Sequence, residues 1–171
     1  MAALDRKTLA ALIGAPAAAA LIALTGGAEG ERTEPYRDKL AGNIWTVCYG
    51  DTHVQMRKYS SAECKDLLAT RLVDYATPVR DMTPGFDDLT DGQKVAAIDF
   101  AYNAGIKNYQ GSTLRKMYIA QDFPAACDQY LQWKYVKPKG EKIDCSLSEN
   151  QKLCGGIWLR RQAERRICRG E

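Results

Sequence analysis

The chain has 171 residues, 24 Lys and Arg against 21 Asp and Glu, a single His and a formal net charge of +3. That length suits one compact domain behind an apolar leader, not a multidomain assembly. The positive charge is thinly spread and accompanies no zinc-finger or RNA-binding motif, which argues against a nucleic-acid partner.

The chain opens with an uncharged stretch, Leu9 to Ala28, holding nine Ala, four Leu, two Ile and three Gly. Twenty residues as a helix span a bilayer core of about 30 Å. Arg6 and Lys7 precede it, which favours a cytoplasmic N-terminus and an exported C-terminus. A cleaved signal peptide, a permanent anchor and a segment that inserts and later escapes intact are the three readings. Ala and Gly contribute little to transfer free energy compared with Leu, worth roughly 1.5–3 kcal/mol on full burial. Pro16 weakens a continuous helix further, by about 3 kcal/mol in a helix interior. A permanent anchor therefore fits worst.

Glu29 follows directly, then Asp38 and Thr46. Glycosidic hydrolysis needs a proton donor for the leaving oxygen and a second carboxylate to position water or steady the oxocarbenium-like transition state. The spacing predicts a short helix carrying Glu29 and a turn into a β-hairpin carrying Asp38, with the Thr46 hydroxyl placed to orient a water. Two carboxylates nine residues apart are not specific by themselves, because most acidic residues lie on solvated faces. Asn43 to Gln55 alternates and is rich in strand formers. Tyr36, between the two carboxylates, is the aromatic residue best placed to meet a sugar ring. Trp133 and Trp158 fit core positions better.

Beyond the hairpin the pattern becomes helical. Ser60 or Ser61 caps a helix beginning near Ala62, with Leu67, Leu68, Leu72 and Tyr75 at helical spacing. Pro78 and Pro84-Gly85 mark its end and a loop. Thr90 and Gln93 form a capping box for a helix that Gly105 terminates. Asn103, polar in that apolar helix, either bonds a sugar or caps the helix end. Ser112 caps a helix through Ala120, and Pro124 opens one running to about Trp133. Lys137 to Gly140 reads as a loop, and the last helix runs from near Gly156 to Cys168. Its arginines, Arg160, Arg161, Arg165, Arg166 and Arg169, are expected on a solvated face, with internal pairs such as Arg160 with Glu164. The only His, His53, is expected on the hairpin surface.

Six cysteines in an exported chain point to disulfides, and no Cys-x-x-Cys pair favours a metal. Six allow fifteen connectivities. The expected set is Cys48–Cys64 between hairpin and next helix, Cys127–Cys168 between two C-terminal helices, and Cys145–Cys154 closing a short loop.

Taken together the motifs resemble the phage-type lysozymes, glycoside hydrolase family 24. Glu29-Gly30, Pro35-Tyr36-Arg37-Asp38, Thr46 and Tyr49-Gly50-Asp51-Thr52 stand in the family's order. Tyr102-Asn103-Ala104-Gly105, Gly111-Ser112-Thr113-Leu114, and Gly156-Ile157-Trp158-Leu159-Arg160-Arg161 with Glu164 resemble its C-terminal motifs. The resemblance covers about residues 29 to 168.

It implies an α+β, mainly α, two-lobed fold with a small hairpin lobe and a helical C-terminal lobe, preceded by an N-terminal apolar helix. It also implies an organisation of residues 1–28 as a signal-arrest-release segment and 29–171 as a muramidase domain. Glu29 is then the general acid, Asp38 positions or activates water and Thr46 assists, while Tyr36 and Asn103 are substrate contacts. The implied reaction is hydrolysis of the β-1,4 bond between N-acetylmuramic acid and N-acetylglucosamine with inversion, which separates the carboxyls by roughly 6.5–9.5 Å.

No metal or organic cofactor is implied. The expected partners are peptidoglycan and the inner membrane, with the protein a monomer. The expected location is the host inner membrane, then the periplasm. Two departures stand out. Seven residues, Lys39 to Trp45, separate Asp38 from Thr46 where the family has five; a longer turn around Ala41-Gly42-Asn43 would absorb the two extra residues. The family's His near Tyr49-Gly50 is replaced by Asp51. A lytic transglycosylase and a non-catalytic cell-wall-binding protein are the alternatives. The first needs no water-positioning Asp, and the second would be indifferent to Glu29→Gln.

Overall fold

The computed structural model describes residues 2–38 and 43–171, with side chains from residue 8 onward. The chain forms two compact units, Met1–Ala76 and Thr77–Glu171.

The first unit opens with two helices, α1 (Ala2–Ile13) and α2 (Ala15–Glu29). The leader is thus not one apolar helix. The backbone leaves helical geometry at Gly14, whose φ of +91° is open to glycine. Pro16 then falls in the first turn of α2, where its missing N–H costs no hydrogen bond. No helix among the described residues is long and apolar enough to cross a membrane. Leu9, Ile13, Ala17, Leu21 and Thr25 recur every four residues and are all buried, a stripe that the leader contributes to the unit's core.

The Gly30 N–H closes the last turn of α2 onto Gly26 O. Strands β1 (Arg32–Asp38) and β2 (Ile44–Cys48) follow as an antiparallel hairpin. A register irregularity lies between Arg32 and Tyr36, after which Tyr36 pairs with Thr46, Arg37 with Trp45 and Asp38 with Ile44. Of the expected turn, Ala41 and Gly42 lie outside the described residues. At its near end Asn43 has φ +64° and donates its N–H to Asp38 O at 2.7 Å.

Helix α3 (Ser61–Asp81) runs through the boundary between the units. It does not stop at Pro78, because that residue sits in the last turn and Met82 N still reaches Pro78 O at 3.0 Å. Glu63 accepts from both the N–H and the hydroxyl of Ser60, fixing the helix start.

The second unit holds α4 (Asp91–Ala104), α5 (Ile106–Gly111), α6 (Thr113–Ile119), α7 (Phe123–Gln129) and α8 (Gln151–Arg169). Thr90 and Gln93 form the expected capping box, and Ser112 caps α6 through Arg115 N. Helix α7 ends at Gln129 and tightens into a 3₁₀ turn, Tyr130–Gln132. The segment read as a loop is the tip of a second small hairpin, β3 (Tyr135–Val136) with β4 (Ile143–Asp144). Helix α8 starts five residues before the expected Gly156, but its backbone is non-helical at Cys154. Its core centres on Phe100, edge-on to Tyr130 and Trp133 with ring centroids 5.8 and 4.9 Å away. Three disulfides form, Cys48–Cys64, Cys127–Cys168 and Cys145–Cys154.

Candidate active site

Glu29 is the last residue of α2, and its side chain is exposed. Its neighbour Glu31 is held differently: the Tyr49 hydroxyl donates to one oxygen at 3.4 Å and the Ser61 hydroxyl to the other at 3.1 Å. Two carboxylates two residues apart thus have separate employment. Glu31 ties the hairpin entrance to Tyr49 and to the start of α3.

Alternation along β1 places Tyr36 and Asp38 on one face, and the pairing brings Ile44 and Thr46 of β2 onto the same face. The two-residue insertion has therefore not displaced Thr46 from that face. Its side chain is buried and its Oγ1 donates to Ile44 O at 3.2 Å. That bond consumes the hydroxyl proton and leaves the oxygen's lone pairs as acceptors. Ile44 beside Asp38 is half exposed. Arg32 lies 4.2 Å from the centroid of the Tyr36 ring, covering one side of it. On the opposite face Arg37 lies over the exposed Trp45 at 4.6 Å and donates to Asn43 O at 3.0 Å.

Two clamps fix the far end of β2 on α3. One is the Cys48–Cys64 disulfide. The other is Asp51, which occupies the place of the expected His. Its backbone exchanges both hydrogen bonds with Val47, at 3.0 and 2.9 Å, and its carboxylate meets Arg71 of α3 at 3.1 Å. Burial pushes the Asp51 carboxyl up, against the opposing pull of Arg71. Cys64 and Arg71 are seven residues apart, two turns on one helix face. Sequence reasoning assigned Asp51 no partner; the structure makes it an anchor for the strand that carries Thr46. Tyr59 N–H also donates to Thr33 O at 2.9 Å, holding β1. His53 is exposed and bonds only its neighbour Thr52 among the described residues.

An apolar groove of about 630 Å³ opens beside α2 instead, its lining including Ala18, Ile22, Gly26, Tyr49, Glu31 and Lys65. Neither Glu29 nor Asp38 lines it. Among the described residues no group of three or more His, Cys, Asp or Glu is placed to hold a metal ion.

In the second unit Asn103 is exposed near the end of α4, and Arg161 donates to its Oδ1. The expectation of a solvated arginine face fails here. Arg160 and Arg161 are buried, and Arg160 forms a two-bonded fork with Asp99 of α4 at 2.9 and 2.8 Å. Glu164 is fully buried, 3.1 Å from Arg161 and 4.0 Å from Arg160. Arg165 and Arg169 both engage Asp128. Trp133 is a partly buried core contact of Phe100, as its position suggested.

An acid at a helix end is thus followed at once by a hairpin carrying a second carboxylate and a hydroxyl. The phage lysozyme family profile matches residues 26–164, and the chain belongs to that family. It is a glycoside hydrolase of the muramidase class. A SAR-endolysin of Bacteriophage PS119 is 33% identical over 97% of this chain and 94% of its own length. A SAR-endolysin of Enterobacteria phage P21 is 35% identical over 95% of this chain and 94% of its own. In fold the chain is similar to an endolysin from Escherichia coli O157:H7 phage FAHEc1, with a TM-score of 0.71 at 22% identity, covering 86% of this chain and 89% of that one.

Proposed function

We propose that this endolysin cleaves the β-1,4 bond between N-acetylmuramic acid and N-acetylglucosamine. In this reading Glu29 protonates the leaving oxygen, and Asp38 positions or activates the attacking water. Thr46 Oγ, its proton committed to Ile44 O, accepts a hydrogen bond from that water. Tyr36, on the Asp38 face, packs against a sugar. The observation that carries the reading is the shared face of Asp38 and Thr46 on the hairpin that begins three residues after Glu29.

The leader is proposed as a signal-arrest-release segment, tethering the protein in the host inner membrane before the periplasmic form folds. Its part in the core supports release of the intact chain over cleavage. A cut before Glu29 would remove Leu9, Ile13, Ala17 and Leu21, all buried. Tethering would also keep the helix that ends in Glu29 away from the unit it packs into. A monomer acting on peptidoglycan is sufficient for this chemistry.

The test is clearing of outer-membrane-permeabilised Gram-negative cells by the purified full chain beside Glu29→Gln. Clearing by the wild type alone, with reducing ends released and no 1,6-anhydro ends, supports the muramidase reading. Equal clearing by both proteins removes Glu29 from the reaction.

A further inference from the structure

Arg161 is buried to 1% exposure, yet it donates to an exposed side chain. Its Nη2 donates to Asn103 Oδ1, and the same nitrogen lies 3.1 Å from Glu164 Oε1. The guanidinium also rests 4.9 Å from the Phe100 ring centroid. A guanidinium has donors only. An Asn amide turned the other way would set its NH2 against N–H groups, so the orientation of Asn103 is fixed chemically and does not rest on choosing between two similar atoms. The carbonyl faces Arg161, and both N–H donors face away from it.

The alternative role for Asn103, capping the end of α4, is taken by other groups. Gly105 N–H donates to Ala101 O at 2.9 Å, and Asn108 Nδ2 donates to Ala104 O at 2.6 Å. Among the described residues the Asn103 amide donates to nothing.

We propose that Arg161 is a positioning residue for substrate. It holds Asn103 so that the amide presents two N–H donors to acceptor oxygens of the glycan, its hydroxyls or N-acetyl carbonyls. This rests on the muramidase reading above. The neighbouring arginine cannot take the role, because its fork is occupied by Asp99.

The experiment measures reducing-end release from soluble, uncrosslinked peptidoglycan glycan strands by the full chain, with thermal unfolding of each variant alongside. Asn103→Asp keeps the shape and the Arg161 contact but replaces the outward donors by an acceptor. It is expected to raise KM about fivefold, the loss of one ordinary hydrogen bond, with kcat held and Tm no lower than wild type. Asn103→Ala should raise KM similarly. Arg161→Lys keeps the positive charge beside Glu164 but shortens the reach to Asn103 and loses the Nη2 donor. It should raise KM in the wild-type background and leave KM unchanged in the Asn103→Ala background, while lowering Tm in both. An unchanged KM for Asn103→Asp overturns the proposal. So does an Arg161→Lys effect on KM that is as large without Asn103 as with it. If the wild type releases no ends, the muramidase reading fails separately. Calorimetric affinities of the same variants for the same strands then decide the Arg161 proposal by the same pattern.

Discussion

Glu164 offers the sharpest test of how the second unit is held together. It sits on α8 with no solvent exposure, facing Asp99 of α4 and the guanidinium groups of Arg160 and Arg161. Burial, with Asp99 adding to it, pushes its carboxyl well above the ordinary value of 4.5, and the arginines only partly offset this. Neither Glu164 oxygen has a hydrogen-bond partner among the described residues, so nothing but the arginine charges favours its ionised form, while Asp99 is engaged by the Arg160 fork. In the unfolded chain the same carboxyl ionises near 4.5.

The folded protein therefore holds a proton that the unfolded chain releases. This contribution to stability is complete below about pH 4.5 and falls as pH rises toward the folded-state value, by about 1.4 kcal/mol per pH unit. Glu164→Gln has the same shape. Unlike the carboxyl, its amide never ionises. Between pH 5 and pH 7 the wild type should lose up to about 2.7 kcal/mol relative to the variant. For a chain of this size that corresponds to roughly 5–10 °C in Tm. Unfolding followed by circular dichroism from pH 4.5 to 7.5 reads the difference directly. Parallel curves for the two proteins, or a variant that weakens faster as pH rises, would refute the reasoning. Glu164→Ala serves as the contrast, because it leaves a cavity beside the Arg161 guanidinium 3.1 Å away, and should be less stable throughout.

Two further predictions concern packing and covalent constraint. A Cβ added at Gly92 would lie 2.0 Å from Ile167 O, a backbone atom of α8 that cannot swing aside. Gly92→Ala should therefore cost at least about 1–3 kcal/mol despite its gain in helix propensity, seen as a lower Tm at unchanged secondary structure. The disulfides close separations of 41, 16 and 9 residues. Paired Cys→Ser replacements should cost about 4, 3 and 2.5 kcal/mol in that order, measured by denaturant unfolding. Loss of Cys48–Cys64 should additionally lower kcat, since that bond secures the strand carrying Thr46.

What could be read in the sequence was what is encoded locally. The Thr90–Gln93 box, the Ser112 cap and the Glu29–hairpin succession each lie within a few turns of chain, and each formed where the residues indicated. Arg160 and Arg161, buried rather than solvated, were misread because their partners are distant. Arg160 meets Asp99 across 61 residues and Arg161 meets Asn103 across 58. On a helix of such polar composition the local alternative, a solvated i,i+4 pair, looked sufficient. The β3–β4 hairpin escaped notice for a different reason. Two-residue strands carry no alternation to detect, and their stability comes from Lys134–Asp144 at 2.9 Å and the nearby disulfide.

Under the proposed release reading, the leader has one composition for two environments. A membrane segment rich in Leu and Phe would be held strongly in lipid, and its bulk would need far more room against a folded domain. Alanine and glycine weaken the hold of the bilayer and also let α2 approach closely. At Gly26 a Cβ would already come within 3.2 Å of the Tyr49 ring and 3.4 Å of Leu68. The larger buried residues, Leu9, Ile13 and Leu21, lie on the single stripe that faces the core. Gly14 and Pro16 supply the break that a straight spanning helix would resist and a compact unit accommodates. The features that make insertion marginal are thus those that make docking possible, and the helix that docks is the one that ends in Glu29.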